Sequence, residues 1–215
     1  DGMAKNVLNN VAALKVEVFS VTNKNSIRKV RYVDYKSNQL VLRVDEHDFC
    51  DRIEKDVLLG IKDNVSYMSL AGKFTFDAII ISDYCKGFLK EDDIQYICEN
   101  NKNVFVDTKK ELGDWINSAT YIKINSLEYD KNTKFFESSN VIDKTIVTKG
   151  NEGCLFQSKI YPTEDVPVKD ISGAGDTFIA ALVVEYIKSN DIIKAINFAQ
   201  ECTKIVVQKH GVSTV

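Results

Sequence analysis

Asp170-Ile171-Ser172-Gly173-Ala174-Gly175-Asp176-Thr177 is the stretch that decides the fold. It precedes an apolar run of helical length, Phe178 to Ile187. Two glycines flank one small residue, so the backbone can turn tightly and expose consecutive N–H groups. At the start of a helix four donors lack intrahelical partners and the dipole is positive. Such a place receives an anion, either a phosphate or a developing oxyanion. Asp176 stands inside it. A carboxylate there can take a proton from a hydroxyl while the N–H groups of Ala174, Gly175 and Asp176 hold the phosphoryl group under attack. The plainer reading of the same letters is a glycine turn capped by an aspartate.

Outward from this stretch the chain is ordinary in bulk. Its 215 residues favour one domain, and 44% hydrophobic with 27% charged residues is globular composition. A net charge of -3 without a basic run argues against nucleic acid. The apolar runs are too short and interrupted to span a bilayer, so no membrane is expected. No apolar segment of signal-peptide type opens the chain. Cys50, Cys85, Cys98, Cys154 and Cys202 are odd in number and unpaired in spacing, which reads as reduced thiols of a cytoplasmic protein. Only His47 and His210 are present, so a histidine-rich metal site is excluded.

In chain order, residues 4, 7, 8, 11, 12 and 14 form a helical stripe, with Asn6 and Asn10 four apart on one face. Two solvated asparagines would be the plain account of them. Val16–Val21 reads as a strand, and Arg28–Asp34 with Gln39–Asp45 as a β-hairpin carrying Arg31 and Arg43. Planar guanidinium forks suit phosphate oxygens; solubilising an exposed hairpin is the other account. Phe49, Ile53, Val57, Leu58 and Ile61 predict a helix within Glu46–Leu70. Asp77–Ser82 reads as a buried strand, then a helix follows to about Asn100. Asp83 and Lys86 fall just past that strand, where ligands bind in doubly wound sheets. Asn103–Asp107, Tyr121–Asn125 and Thr145–Gly150 continue the strands, and Gly153–Gln157 begins a partner for the last. Asp191 caps a final helix with a stripe from Ile192 to Val206. Strands alternating with helical stripes predict a largely parallel sheet covered on both faces.

The string from Ser172 to Asp176 resembles the signature of the ribokinase-like (PfkB) sugar kinases. There Gly-Ala-Gly-Asp carries the anion hole and the catalytic base. The resemblance covers nearly the whole chain and implies a ribokinase-like three-layer α/β/α fold, a single kinase domain over 1–215, and a β-hairpin lid at about 28–45. Ser82-Asp83-Tyr84-Cys85-Lys86-Gly87, together with Lys29-x-Arg31 and Gln39-x-x-x-Arg43-x-Asp45, is similar to the heptose 7-phosphate kinase branch. The resemblance implies sugar contacts from Asn6, Arg31, Arg43, Asp83, Lys86 and Asp176. It implies nucleotide contacts from Lys123, Asn125, Thr148, Gly150, Gly153 and Gly211. It places magnesium near Asn125 and Glu128 of an Asn-x-x-Glu motif, with ATP as co-substrate and a sugar phosphate as acceptor. A homodimer is left open.

Two departures stand out. Met3 replaces the second glycine of the family's sugar-binding stretch, and the family's opening strand, with a helix and strand between Val21 and Ser26, has no counterpart in this sequence, being either pruned or outside it. They keep two alternatives in play: a PfkB kinase for another sugar or nucleoside, and a non-catalytic sugar- or nucleotide-binding relative.

Overall fold

A computed structural model of the chain describes residues 3–23, 27–37, 39–68 and 72–215. The first stripe forms helix α1 (Met3–Ala13), and its buried face carries Val7 and Val11 together with Asn6 and Asn10. The two asparagines are therefore not solvated. Val16–Val21 makes no strand, although Val16, Val18 and Val21 pack on the core. Strands β1 (Arg28–Val33) and β2 (Leu40–Glu46) form the expected hairpin as a separate two-stranded antiparallel sheet.

The helix expected within Glu46–Leu70 is reduced to five residues, α2 (Lys55–Leu59). Gly60 ends it, and the chain then makes a three-stranded antiparallel sheet of β3 (Ile61–Lys62), β4 (Val65–Met68) and β5 (Gly72–Thr75). The reason lies in Asp63 and Asn64, both at positive φ, 56° and 54°. Two successive left-handed residues suit the twist of a two-residue hairpin and are incompatible with a continuing helix. Leu70, at the end of the expected helix, lies outside the described residues.

The central sheet follows the sequence closely. Strand β6 (Ile79–Asp83) leads to helix α3 (Glu91–Asn100), then β7 (Val104–Thr108) and β8 (Tyr121–Asn125). Short helices α4 (Ser126–Lys131) and α5 (Thr133–Ser138) lead to β9 (Thr145–Thr148). β6, β7, β8 and β9 run parallel in that spatial order. β10 (Cys154–Phe156) and β11 (Lys159–Tyr161) extend the sheet antiparallel beyond β9. The long helices α6 (Ala174–Ser189) and α7 (Ile192–Val207) close the chain, and the Asp191 carboxylate accepts from the N–H groups of Ile193 and Lys194.

Alternation along the strands splits the core into two layers. Phe105 and Ile146 face α1, α6 and α7, while Val104, Val106, Ile122, Ile124 and Val147 face α3, α5 and the loops around Ile116 and Val141. Helix α6 is buried from Asp176 through Val184, which explains why its sequence is apolar on all sides. This is the three-layer arrangement expected. It brings the carboxyl ends of β6, β7 and β8 beneath the start of α6.

Candidate active site

The chain enters α6 through Gly173, whose φ of +85° is left-handed. A Cβ there would lie 2.5 Å from the Asn6 amide nitrogen, so both backbone shape and space require glycine. The turn is tighter than the sequence alone predicts. Ala174 N–H donates to the Ile171 carbonyl at 3.1 Å, which removes one of the three expected anion donors. Among the described residues the N–H groups of Gly175 and Asp176 remain as the open donors of this helix end.

Asp176 is fully buried. Its Oδ2 accepts from the Asn6 amide at 3.0 Å and its Oδ1 from the Tyr84 hydroxyl at 2.8 Å. Asn10 donates to Asn6 Oδ1 at 3.1 Å, which turns the Asn6 NH2 group towards the carboxylate. Burial raises the proton affinity of Asp176 above the ordinary aspartate range; the Asn6 and Tyr84 hydrogen bonds oppose it, Asp107 adds to it and Lys123 opposes it. A raised proton affinity suits a group that must accept a proton from an alcohol.

Beneath the glycine turn lies a buried ion pair. Lys123 on β8 and Asp107 on β7 point to the α6 side of the sheet, opposite Ile122 and Ile124, and meet at 2.9 Å. A Cβ on Gly175 would lie only 2.8 Å from Lys123 Nζ. The ammonium thus sits directly behind the open N–H groups. Lys123 is 4% exposed, so it reaches the helix end from inside the protein rather than from a solvent cleft.

Asn125 and Glu128 close on each other at the start of α4. Asn125 Oδ1 accepts from Glu128 N–H at 2.9 Å, and Glu128 Oε2 accepts from Asn125 N–H at 2.8 Å. Glu128 Oε1 pairs with the ammonium of Lys109, which also lies 5.7 Å from the centre of the Tyr84 ring. Among the described residues no cluster of three or more Asp, Glu, His or Cys side chains is placed to hold a metal. Magnesium takes few protein ligands and keeps its waters. A single, already bonded carboxylate fits a metal brought in by nucleotide phosphates and touched through water, not an ion held by the protein alone.

The remaining expected residues spread around this centre. Asp83 has both oxygens occupied, by Thr108 Oγ1 at 3.0 Å and Cys85 N–H at 3.2 Å, with Lys110 at 3.8 Å. Burial raises its proton affinity, and Lys110, Thr108 and the Cys85 N–H oppose that. Its visible work is to hold the loop that carries Tyr84. Lys86 is ion-paired with Asp48. Arg31 pairs with Arg43 across the hairpin; the Arg43 side chain lies outside the described part of the structure. Arg31 is near enough to lower the proton affinity of Asp170, where the Ser172 N–H is the larger cause. Asp170 accepts from Ser172 N–H at 2.8 Å and Gly211 N–H at 3.2 Å, tying the closing loop to the glycine turn. Thr148 Oγ1 donates to Ile124 O at 3.2 Å, and Gly150 and Gly153, at φ +62° and +90°, shape the turn between β9 and β10.

Asn6 thus bonds both Gly173 and Asp176, and Lys123 lies against Gly175, whereas Asp83 and Lys86 serve other contacts. Sequence reasoning assigned no role to Asn10, Tyr84, Asp107 and Lys109. Tyr84, Asp107 and Lys109 all stand in the two strings that follow β6 and end β7, so strand-end position was the available signal.

Residues 54–215 match the model of the pfkB family carbohydrate kinases. The chain belongs to this family. It is a phosphotransferase of the sugar-kinase class, and kinases of this family use ATP as co-substrate. The bifunctional protein HldE of Campylobacter jejuni is 28% identical over 252 residues, covering 98% of this chain and 53% of that protein. HldE of Nitratiruptor is 29% identical over 212 residues, covering 89% and 44%. The chain thus spans about half the length of the curated relatives it matches. Ribokinase of Thermotoga maritima superposes with a TM-score of 0.64 at 17% identity, over 99% of this chain and 73% of that one. Phosphofructokinase-2 of Escherichia coli gives 0.64 at 13%, over 97% and 73%. These likenesses show a ribokinase-like fold. Among the described residues no helix is long and apolar enough to cross a membrane.

Proposed function

We propose that this pfkB kinase transfers the γ-phosphoryl group of ATP to a hydroxyl of a sugar that already carries a phosphate, in the manner of a heptose 7-phosphate 1-kinase. The observation that carries the reading is buried Asp176 at the start of α6, beside the open N–H groups of Gly175 and Asp176. In the step, the acceptor hydroxyl gives its proton to Asp176, its oxygen bonds to the γ-phosphorus, and ADP leaves. The two N–H groups would face the oxygens that gain charge, with the Lys123–Asp107 ion pair packed against Gly175. Phosphoryl transfer needs mostly positioning and electrostatics, which a buried, fixed set of this kind supplies. Magnesium, carried with the nucleotide near Glu128, would neutralise phosphate charge.

The choice of a phosphorylated acceptor rests on the likeness to HldE and on two cations the sequence reading assigned to it, of which Lys86 is already paired with Asp48. Arg31 stands on the hairpin within the field of Asp170, and Lys86 follows β6. The test has two parts. Asp176→Asn keeps size but removes the base, so turnover falls by roughly two to four orders of magnitude with ATP affinity little changed; near-normal turnover would sink the mechanism. In an acceptor panel, ATP is consumed with heptose 7-phosphate and little with free ribose, fructose or adenosine. Equal rates on unphosphorylated sugars would remove the heptose assignment and leave the kinase.

A further inference from the structure

Tyr84 is the one side chain other than Asn6 that donates a hydrogen bond to Asp176 among the described residues, and no role had been assigned to it. We propose that Tyr84 is a positioning residue for phosphoryl transfer: its phenol fixes Asp176 Oδ1 and keeps the carboxylate an ionised acceptor turned to the incoming hydroxyl. The proposal rests on the reading of Asp176 as general base.

Three observations carry it. First, the Tyr84 Oη to Asp176 Oδ1 distance is 2.8 Å, and Asn6 holds the other oxygen at 3.0 Å, so the carboxylate cannot rotate without losing a bond. Second, the loop bearing Tyr84 is itself pinned. Asp83 accepts from Cys85 N–H, Cys85 has a φ of 56° and Gly87 a φ of 98°, and Lys109 lies against the ring while pairing with Glu128. The phenol therefore joins the base to the side of the site where Glu128 stands. Third, Tyr84 stays a donor. Burial and the nearby carboxylates, Asp176 first among them, push its proton affinity well above the ordinary tyrosine range, so it does not compete as a base.

The electrostatics give the sign of the effect. The charged and polar groups facing Asp176 are Asn6 from α1, Tyr84 after β6, Asp107 from β7 and Lys123 from β8. Burial and Asp107 favour the protonated acid; Asn6, Tyr84 and Lys123 favour the carboxylate. Removing only the phenol hydroxyl leaves the others in place and shifts the balance towards the acid. The base would then need a higher pH to be ionised.

The experiment is the pH profile of kcat and kcat/KM for the full chain, wild type, Tyr84→Phe and Asp176→Asn, from acid to alkaline pH. The acceptor is heptose 7-phosphate, or whichever sugar of the panel turns over. Phenylalanine keeps the ring against Lys109, and a wild-type urea midpoint checks the fold. Relative to wild type, Tyr84→Phe is expected to lose most at the acid end of the profile and least at the alkaline end, the difference reaching about tenfold, near the size of one hydrogen bond to a charged group. The acid limb moves to higher pH. A uniform loss at every pH, or no loss, overturns the positioning role and leaves Tyr84 as packing. Near-normal turnover of Asp176→Asn would instead remove the general-base reading itself, so the two failures are distinguishable.

Discussion

Gly175→Ala tests whether the Lys123 ammonium sits where the structure puts it. The backbone of Gly175 is helical, so alanine suits it and gains about 1 kcal/mol of helix propensity. Space opposes the change. The new Cβ would lie 2.8 Å from Lys123 Nζ. Non-bonded heavy atoms pack at about 3.5 Å, so something must yield by roughly 0.7 Å. The ammonium has little room, being 4% exposed and held by Asp107 at 2.9 Å. Stretching that bond by such a distance forfeits about 1.5–3 kcal/mol, the worth of a hydrogen bond to a charged group. Set against the propensity gain, the net loss of stability is about 0.5–2 kcal/mol. The catalytic effect is larger, because a displacement near 1 Å in a positioned site costs about a hundredfold in rate. The assay is kcat with saturating ATP, beside a urea unfolding curve. A variant with wild-type kcat and wild-type stability would refute the placement of Lys123 behind the helix end.

Two further outcomes follow from the same geometry. Asp176 has its folded proton affinity raised by burial, so its stabilising contribution is present below the ordinary aspartate value of about 3.9 and lost as pH rises through the folded value. Asp176→Asn removes that liability, and its thermal midpoint relative to wild type should rise more at pH 8 than at pH 4.5; a gap that ignores pH contradicts the buried charge. Gly153→Ala would place a Cβ 2.1 Å from the Tyr161 carbonyl at a φ of +90°, whereas Gly150→Ala meets nothing within 4 Å at +62°. The first should destabilise by about 3 kcal/mol or more and the second by about 1 kcal/mol, measured by urea denaturation; equal losses would contradict the close approach of β11.

Much of this protein follows from neighbours in sequence. Glycine at 173 and 175 beside Asp176, before an all-apolar helix, marked a tight turn opening a candidate anion site. The runs at 77–82, 103–107, 121–125 and 145–150 predicted strands of a largely parallel sheet, and strands form at 79–83, 104–108, 121–125 and 145–148, because side-chain periodicity and turn chemistry act over a few residues. Local signals failed where two periods competed, as in 46–70, where an apolar helical stripe was overruled by the Asp63-Asn64 turn. They were silent about long-range contacts. Asn6 and Asp176 lie 170 positions apart and Tyr84 and Asp176 lie 92 apart, so nothing local could show that both donors hold one carboxylate. The resemblance put Lys123 at the nucleotide and gave Asp107 no role; only the stacking of α6 on the β7–β8 face made them a buried pair against Gly175. The sequence by itself determined the elements and singled out Asp176 as the candidate base, while tertiary structure decided what surrounds that carboxylate, because burial and ion pairing are properties of packed layers rather than of a chain.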